Sequence, residues 1–233
     1  MLDDRLSLVA ALVLSWLSMV PISGAEPPFS DAASQSLVQV LRQGGYVLVV
    51  RHMSTDPTQA DVDTQHLVNC ALQRQLTKTG RNDAVAMGDA WRRLRIPVGR
   101  AISSNYCRAL DTARLAGLSD AEASVDVTEP QNMPAMEAQR RAFAMRKLLA
   151  TPPAIGTNTV IITHRTNILD ALGKDFFDIA GGEAAVFQPV AAAPGYRLVA
   201  RVPTPQTWAR WVGVMGRSGR LSARPRLQPA VTE

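Results

Sequence analysis

Tyr46-Val47-Leu48-Val49-Val50 is an unbroken apolar run that stops at Arg51-His52, and Val160-Ile161-Ile162 repeats the pattern before Thr163-His164. A short aliphatic run without polar alternation fits a strand buried in a mostly parallel sheet with helices on its faces. Ala101 to Ser103, followed by Ser104-Asn105-Tyr106-Cys107-Arg108, ends in the same way. In an open parallel sheet the carboxyl ends of the strands share one crevice. Groups distant in sequence, Arg51 with His52, Arg108 and His164, are therefore expected to meet there. The chain has 3 histidines, and two of them stand at these edges.

The combination has a chemical use. A neutral imidazole can attack phosphorus and carry the phosphoryl group, while guanidiniums present forked N–H donors that match phosphate oxygens. A second imidazole can serve another oxygen. The leaving alcohol then needs a proton, normally from a positioned carboxylic acid.

Arg51-His52, then Leu76-Thr77-Lys78-Thr79-Gly80-Arg81, then Ser103-Ser104 with Arg108-Ala109-Leu110-Asp111-Thr112-Ala113, then Thr163-His164, follow one another in an order that resembles the histidine phosphatase superfamily, the phosphoglycerate mutase-like proteins. The resemblance runs from about Val47 to Gly173. It implies a three-layer α/β sandwich, His52 as nucleophile, and Arg51, Arg108 and His164 as phosphate ligands. Two positions depart from the pattern: Met53 and Arg165 follow the two histidines, where the family usually has Gly. The chain thus resembles a divergent branch, in particular exported bacterial members, some of which act on phosphorylated sugars of the lipopolysaccharide core.

The general acid is less directly marked. Asp126-Val127-Thr128-Glu129-Pro130 matches the region where the superfamily often carries it, which favours Glu129; Glu183, in Gly181-Gly182-Glu183-Ala184, is the alternative and could instead orient His52. Glu137 and Asp170 read as helix-capping or bracing residues. His66 reads as an ordinary loop residue. Histidine separations of 14 and 98 residues, with no local His-Glu or Cys pattern, give a metal site no support. The reading calls for no cofactor.

At 233 residues and 46% hydrophobic content, the chain suits one α/β domain with a sizeable core. Leu6 to Val20 is almost wholly apolar and precedes Pro21-Ile22-Ser23-Gly24-Ala25, which reads as a signal peptide cleaved after Ala25. Asp3 and Asp4 outnumber Arg5 in its first residues, so an uncleaved anchor and a misassigned start are the alternatives. The expected organisation is a signal peptide over 1–25, the phosphatase-like domain over 26–216 and a basic, disordered tail over 217–233. Loss of two Asp and one Arg with residues 1–25 raises the formal charge from +5 to +6. A basic surface favours anionic partners, here a small-molecule or glycolipid phosphate ester. The basic group Arg217, Arg220, Arg224 and Arg226 lacks aromatic stacking partners, which argues against nucleic acid. Periplasmic or secreted location, with envelope association, is the matching address.

The two cysteines, Cys70 and Cys107, allow one pairing, and an exported chain with an even count suggests a disulfide; two buried thiols are the alternative. Helices are expected from Ser30 or Asp31 to about Arg42, from Thr77 to about Leu94, from near Tyr106, from Glu137 to Leu149 and from Asn167 to Leu172, with closing strands Glu183 to Gln188 and Tyr196 to Val202. Met53 to Gln75 and Asp120 to Met136 are irregular and are expected to select the substrate. The reading is an exported phosphomonoesterase that works through a phosphohistidine. A phosphotransferase or mutase is the alternative among enzymes, and a catalytically silent phosphate-ester-binding envelope protein, suggested by Met53 and Arg165, is the alternative outside them.

Overall fold

Successive residues of the first strand, β1 (Val47–Arg51), enter opposite layers: Leu48 and Val50 join one hydrophobic cluster, Val47 and Val49 the other. All four are fully buried, which is why the run carries no polar alternation. The computed structural model describes residues 29–222 apart from 65 and 131, with the backbone alone over 218–222. The segment 1–25, expected to be a signal peptide, lies outside the described residues.

β1 is followed by β2 (Val98–Ser103), β3 (Glu122–Ala123), β4 (Asn158–Thr163), β5 (Ala184–Pro189) and β6 (Tyr196–Val202). The sheet runs β3-β2-β4-β1-β5-β6. The pairs β1 with β4, β2 with β4 and β2 with β3 are parallel, while β5 is antiparallel to β1 and to β6. The central strands β1 and β4 stand in register from Val47 beside Thr159 to Arg51 beside Thr163. Their last residues, and the histidines that follow, therefore emerge side by side.

The helices are α1 (Asp31–Gln43), α2 (Lys78–Arg93), α3 (Cys107–Leu115), α4 (Ala135–Ala150), α5 (Arg165–Leu172) and α6 (Pro205–Ser222). α1, α2, α3 and α6 contribute to one cluster and α4 and α5 to the other, completing three layers. Ser30 and Thr77 cap α1 and α2 by accepting from Ala33 N and Gly80 N. Gly80 also lies against the Ser54 backbone, where a side chain has no room, so α2 packs directly on the segment after His52.

α6 has no counterpart among the helices read from the sequence. It buries Trp208 and Trp211 completely or nearly so, with the Trp208 ring 5.7 Å from that of Trp91 on α2. The helix runs through Ser222, so the boundary expected at 216 falls inside it and residues 217–222, including Arg217 and Arg220, are helical. Arg224 and Arg226 lie outside the described residues. Among those described, no helix is long and apolar enough to cross a membrane.

Candidate active site

His52 directly follows β1, and its backbone N–H donates to Thr163 O at the end of β4. Its Nδ1 donates to Met53 O at 2.8 Å, which assigns the ring proton to Nδ1 and leaves Nε2 with a lone pair. The ring is almost fully buried. Burial, then the Arg108 charge, hold its pKa down to about 3 against the opposing pull of the Met53 carbonyl. The imidazole is thus neutral at any physiological pH.

His164 closes β4 and stands with its ring centroid 5.0 Å from that of His52. Its Nε2 lies 2.7 Å from Ser104 Oγ, which already accepts from Tyr106 N. With the serine hydroxyl donating to Nε2, the His164 proton stands on Nδ1, which is buried without a hydrogen-bond partner. That atom lies 3.6 Å from Glu129 Oε2. Burial, followed by the His52, Arg108, Arg74 and Arg51 charges, pushes the His164 pKa well below its ordinary value.

Arg108 sits in the first turn of α3 with its side chain fully buried. Its Nη1 donates to Asp61 Oδ1 and its Nη2 to Glu129 Oε2, both at 2.9 Å, while its Nε is buried without a partner. A helix N-terminus with a guanidinium in its first turn can hold one anion between them. Instead the N–H groups of Asn105, Tyr106 and Cys107 donate to Thr128 Oγ1, Ser104 Oγ and Gln73 Oε1. Thr112, one turn on, donates its hydroxyl to Arg108 O and accepts from Met53 N, linking the arginine to the segment after His52.

Arg51 donates from Nη1 to Ile179 O and keeps a buried, unpartnered Nε. Burial and the neighbouring Arg165 and Arg74 charges lower its pKa, opposed by Glu129 and Glu183. Glu129 accepts from Thr166 Oγ1 as well as from Arg108. The structure does not hydrogen-bond Glu183 to His52. Its carboxylate takes Arg201 Nε at 2.5 Å and the backbone N–H of Ala180, so it braces the β5–β6 edge. His66 is exposed and paired with Asp63. Cys70 and Cys107 are joined in a disulfide that ties the loop after His52 to the first residue of α3. Among the described residues no group of three or more His, Cys, Asp or Glu is placed to hold a metal ion.

Of the two departures, Met53 turns away from this cluster, while Arg165 stays close enough for its charge to act on Arg51. Met53 is buried in the sheet–helix core, and its Sδ lies where a Cβ on Gly182 would come within 2.6 Å. Gly182 has φ +82°, so the bare residue both permits the turn and makes room for the thioether. Arg165 donates from Nε to Phe177 O and lays its guanidinium 4.5 Å from the Phe177 ring centre.

Two members of the cluster carried no signal that sequence reasoning used. Asp61 was visible only as one of several acidic residues in an irregular loop. Arg74 follows Gln73 on that loop; its Nε is buried with no partner, and its charge acts on His52, His164 and Arg51. An arginine close behind a bridged cysteine was the available clue.

No family model matches the sequence, and no curated protein matches it. Solved structures do. Mycobacterial glucosyl-3-phosphoglycerate phosphatase, in complex with inorganic phosphate, superposes with a TM-score of 0.50 at 16% identity, over 70% of this chain and 99% of that one. The fold is that of the histidine phosphatases. The protein histidine phosphatase SixA, complexed with tungstate, is also similar, with a TM-score of 0.49 at 15% identity over 69% of this chain and 97% of that one. The Arg51, His52, Arg108, Glu129 and His164 cluster lies at the carboxyl edge of the sheet.

Proposed function

We propose that the protein is an exported phosphomonoesterase that works through a phosphohistidine on His52. The observation that carries this reading is the Nδ1–H bond to Met53 O, which presents Nε2 as a neutral nucleophile beside a buried guanidinium. Nε2 attacks phosphorus as the bond to the ester oxygen breaks. Arg51, Arg108, His164 Nδ1–H and Arg74 donate to the phosphoryl oxygens and stabilise the charge gathered there. Glu129, beside Arg108 and His164, gives its proton to the departing alkoxide. In the second half, water attacks phosphorus, Glu129 takes a proton from it, and the P–N bond breaks to return His52 to its starting state. Export rests on Leu6 to Ala25, and the basic chain suits an anionic ester.

The test uses residues 26–233 with an aryl phosphate and chelator present, alongside His52→Ala. Turnover that resists chelation and is lost in the variant is expected, with a reaction stopped in alkali yielding phosphohistidine in the parent alone. Near-normal activity of His52→Ala sinks the scheme.

A further inference from the structure

A cavity of about 650 Å³ opens on the far side of Glu129. Glu129, Thr128 and Asn105 form its edge towards the catalytic cluster, and the Cys70–Cys107 bridge, Val68, Leu110, Val125 and Met133 form much of the rest. Val68 and Val125 are large apolar side chains left 94% and 51% exposed at this place. Its size falls within the range that takes a small-molecule ligand.

The charges of the wall limit what can enter. Among the described residues it carries one cation, Arg141, which is fully engaged: Nε donates to Glu137, Nη1 to Thr128 O and Nη2 faces Met133 Sδ. No guanidinium or ammonium of this wall is left for a second phosphate or a carboxylate on the substrate. The Oδ1 of Asn105 is buried and has no partner. A hydroxyl or amide N–H of an otherwise apolar group would satisfy it.

Since Glu129 belongs to both the cavity and the catalytic cluster, we infer that the cavity receives the alcohol half of the substrate, and that this alcohol is uncharged and largely apolar. The substrate class is then a monophosphate ester of an apolar alcohol, in place of a sugar phosphate or a polyanionic ester. The inference rests on the phosphatase reading above and narrows it.

The experiment compares kcat/KM for ethyl, butyl and hexyl phosphate, 1-naphthyl phosphate and glucose 6-phosphate, all as monomers in water. Burial of each added methylene is expected to raise kcat/KM by about two- to fourfold. 1-Naphthyl phosphate should exceed glucose 6-phosphate by tenfold or more, and Val125→Asp should flatten the series. A flat series, or preference for the sugar ester, overturns the inference and leaves the phosphatase reading intact. If no ester is hydrolysed the phosphatase reading fails, and 1-naphthyl phosphate binding to His52→Ala, followed by its fluorescence, then decides: weaker binding after Val125→Asp upholds the cavity's role, and no binding ends it.

Discussion

Asp61 and Arg108 are paired at 2.9 Å with side-chain exposures of 7% and 0%. The guanidinium that should hold the phosphoryl group thus already holds a carboxylate from the loop above it, and an incoming phosphate has to displace that carboxylate. Asp61→Asn keeps the shape and the acceptor for Arg74 N but removes the competing charge. Charge-assisted bonds contribute about 1.5–3 kcal/mol, so inhibition by inorganic phosphate should tighten by about tenfold or more. Unchanged or weaker inhibition would show that phosphate binds without disturbing Asp61.

The two buried histidines make stability depend on acid. His52 titrates near 3 when folded, and His164 well below its ordinary value, while both return to about 6.5 on unfolding. Between those limits the unfolded chain binds more protons than the folded one. Their contribution is therefore complete above about pH 6.5 and is lost as pH falls towards 3. Melting temperature should drop across this window in the parent, and less steeply in His52→Gln. An equally steep drop in the variant would assign the acid sensitivity to other groups.

Glu129→Gln separates proton donation from charge placement. A nitrophenolate leaves without a proton and an alkoxide does not, so in a single turnover that reads only the phosphorylation of His52 the variant should keep most of its rate on 4-nitrophenyl phosphate and lose about 10²–10⁴ on butyl phosphate, while steady-state turnover falls on both because Glu129 also activates the water. Glu183→Gln should show no such split, because that carboxylate serves Arg201. An equal loss of the single-turnover rate on both esters in Glu129→Gln would move the acid elsewhere, with Asp61 the nearest alternative across Arg108.

Signals held within one segment were legible in the sequence. The apolar runs of β1 and β4 end at their histidines, and Ser30 and Thr77 cap their helices through bonds three residues long. What escaped depends on contacts made across the fold. Asp61 and Arg74 lie in a stretch with no periodicity, and only the folded loop brings them to Arg108 and the histidines. Two closely spaced prolines, Pro203 before α6 and Pro205 at its first position, hid the 3–4 spacing of Trp208, Trp211 and Met215. Met53 looked like an obstruction because the residue that accommodates it, Gly182, lies in a turn before β5.

That accommodation can be measured. Met53 is buried against the core and its side chain points away from the phosphate site, so Met53→Ala should lower stability by about 2–5 kcal/mol while changing KM little. A rise in KM without loss of stability would place the thioether at the substrate.

The Cys70–Cys107 bridge joins the two halves of the proposed anion site, since Arg108 follows one cysteine and Gln73-Arg74 lies just beyond the other. Gln73 reinforces the tie by accepting from Cys107 N at 2.8 Å. The bond closes a separation of 37 residues, for which loop-closure entropy gives about 4 kcal/mol of stabilisation. Cys70→Ser with Cys107→Ser should therefore lower the melting temperature. It should also raise KM more than it lowers kcat, because Arg74 loses its anchorage while His52 and His164 remain fixed by β1 and β4. The same split should follow addition of a reductant to the parent. A fall in kcat with KM unchanged would instead mean that the bridge supports the reacting groups themselves and that the loop finds its place without it.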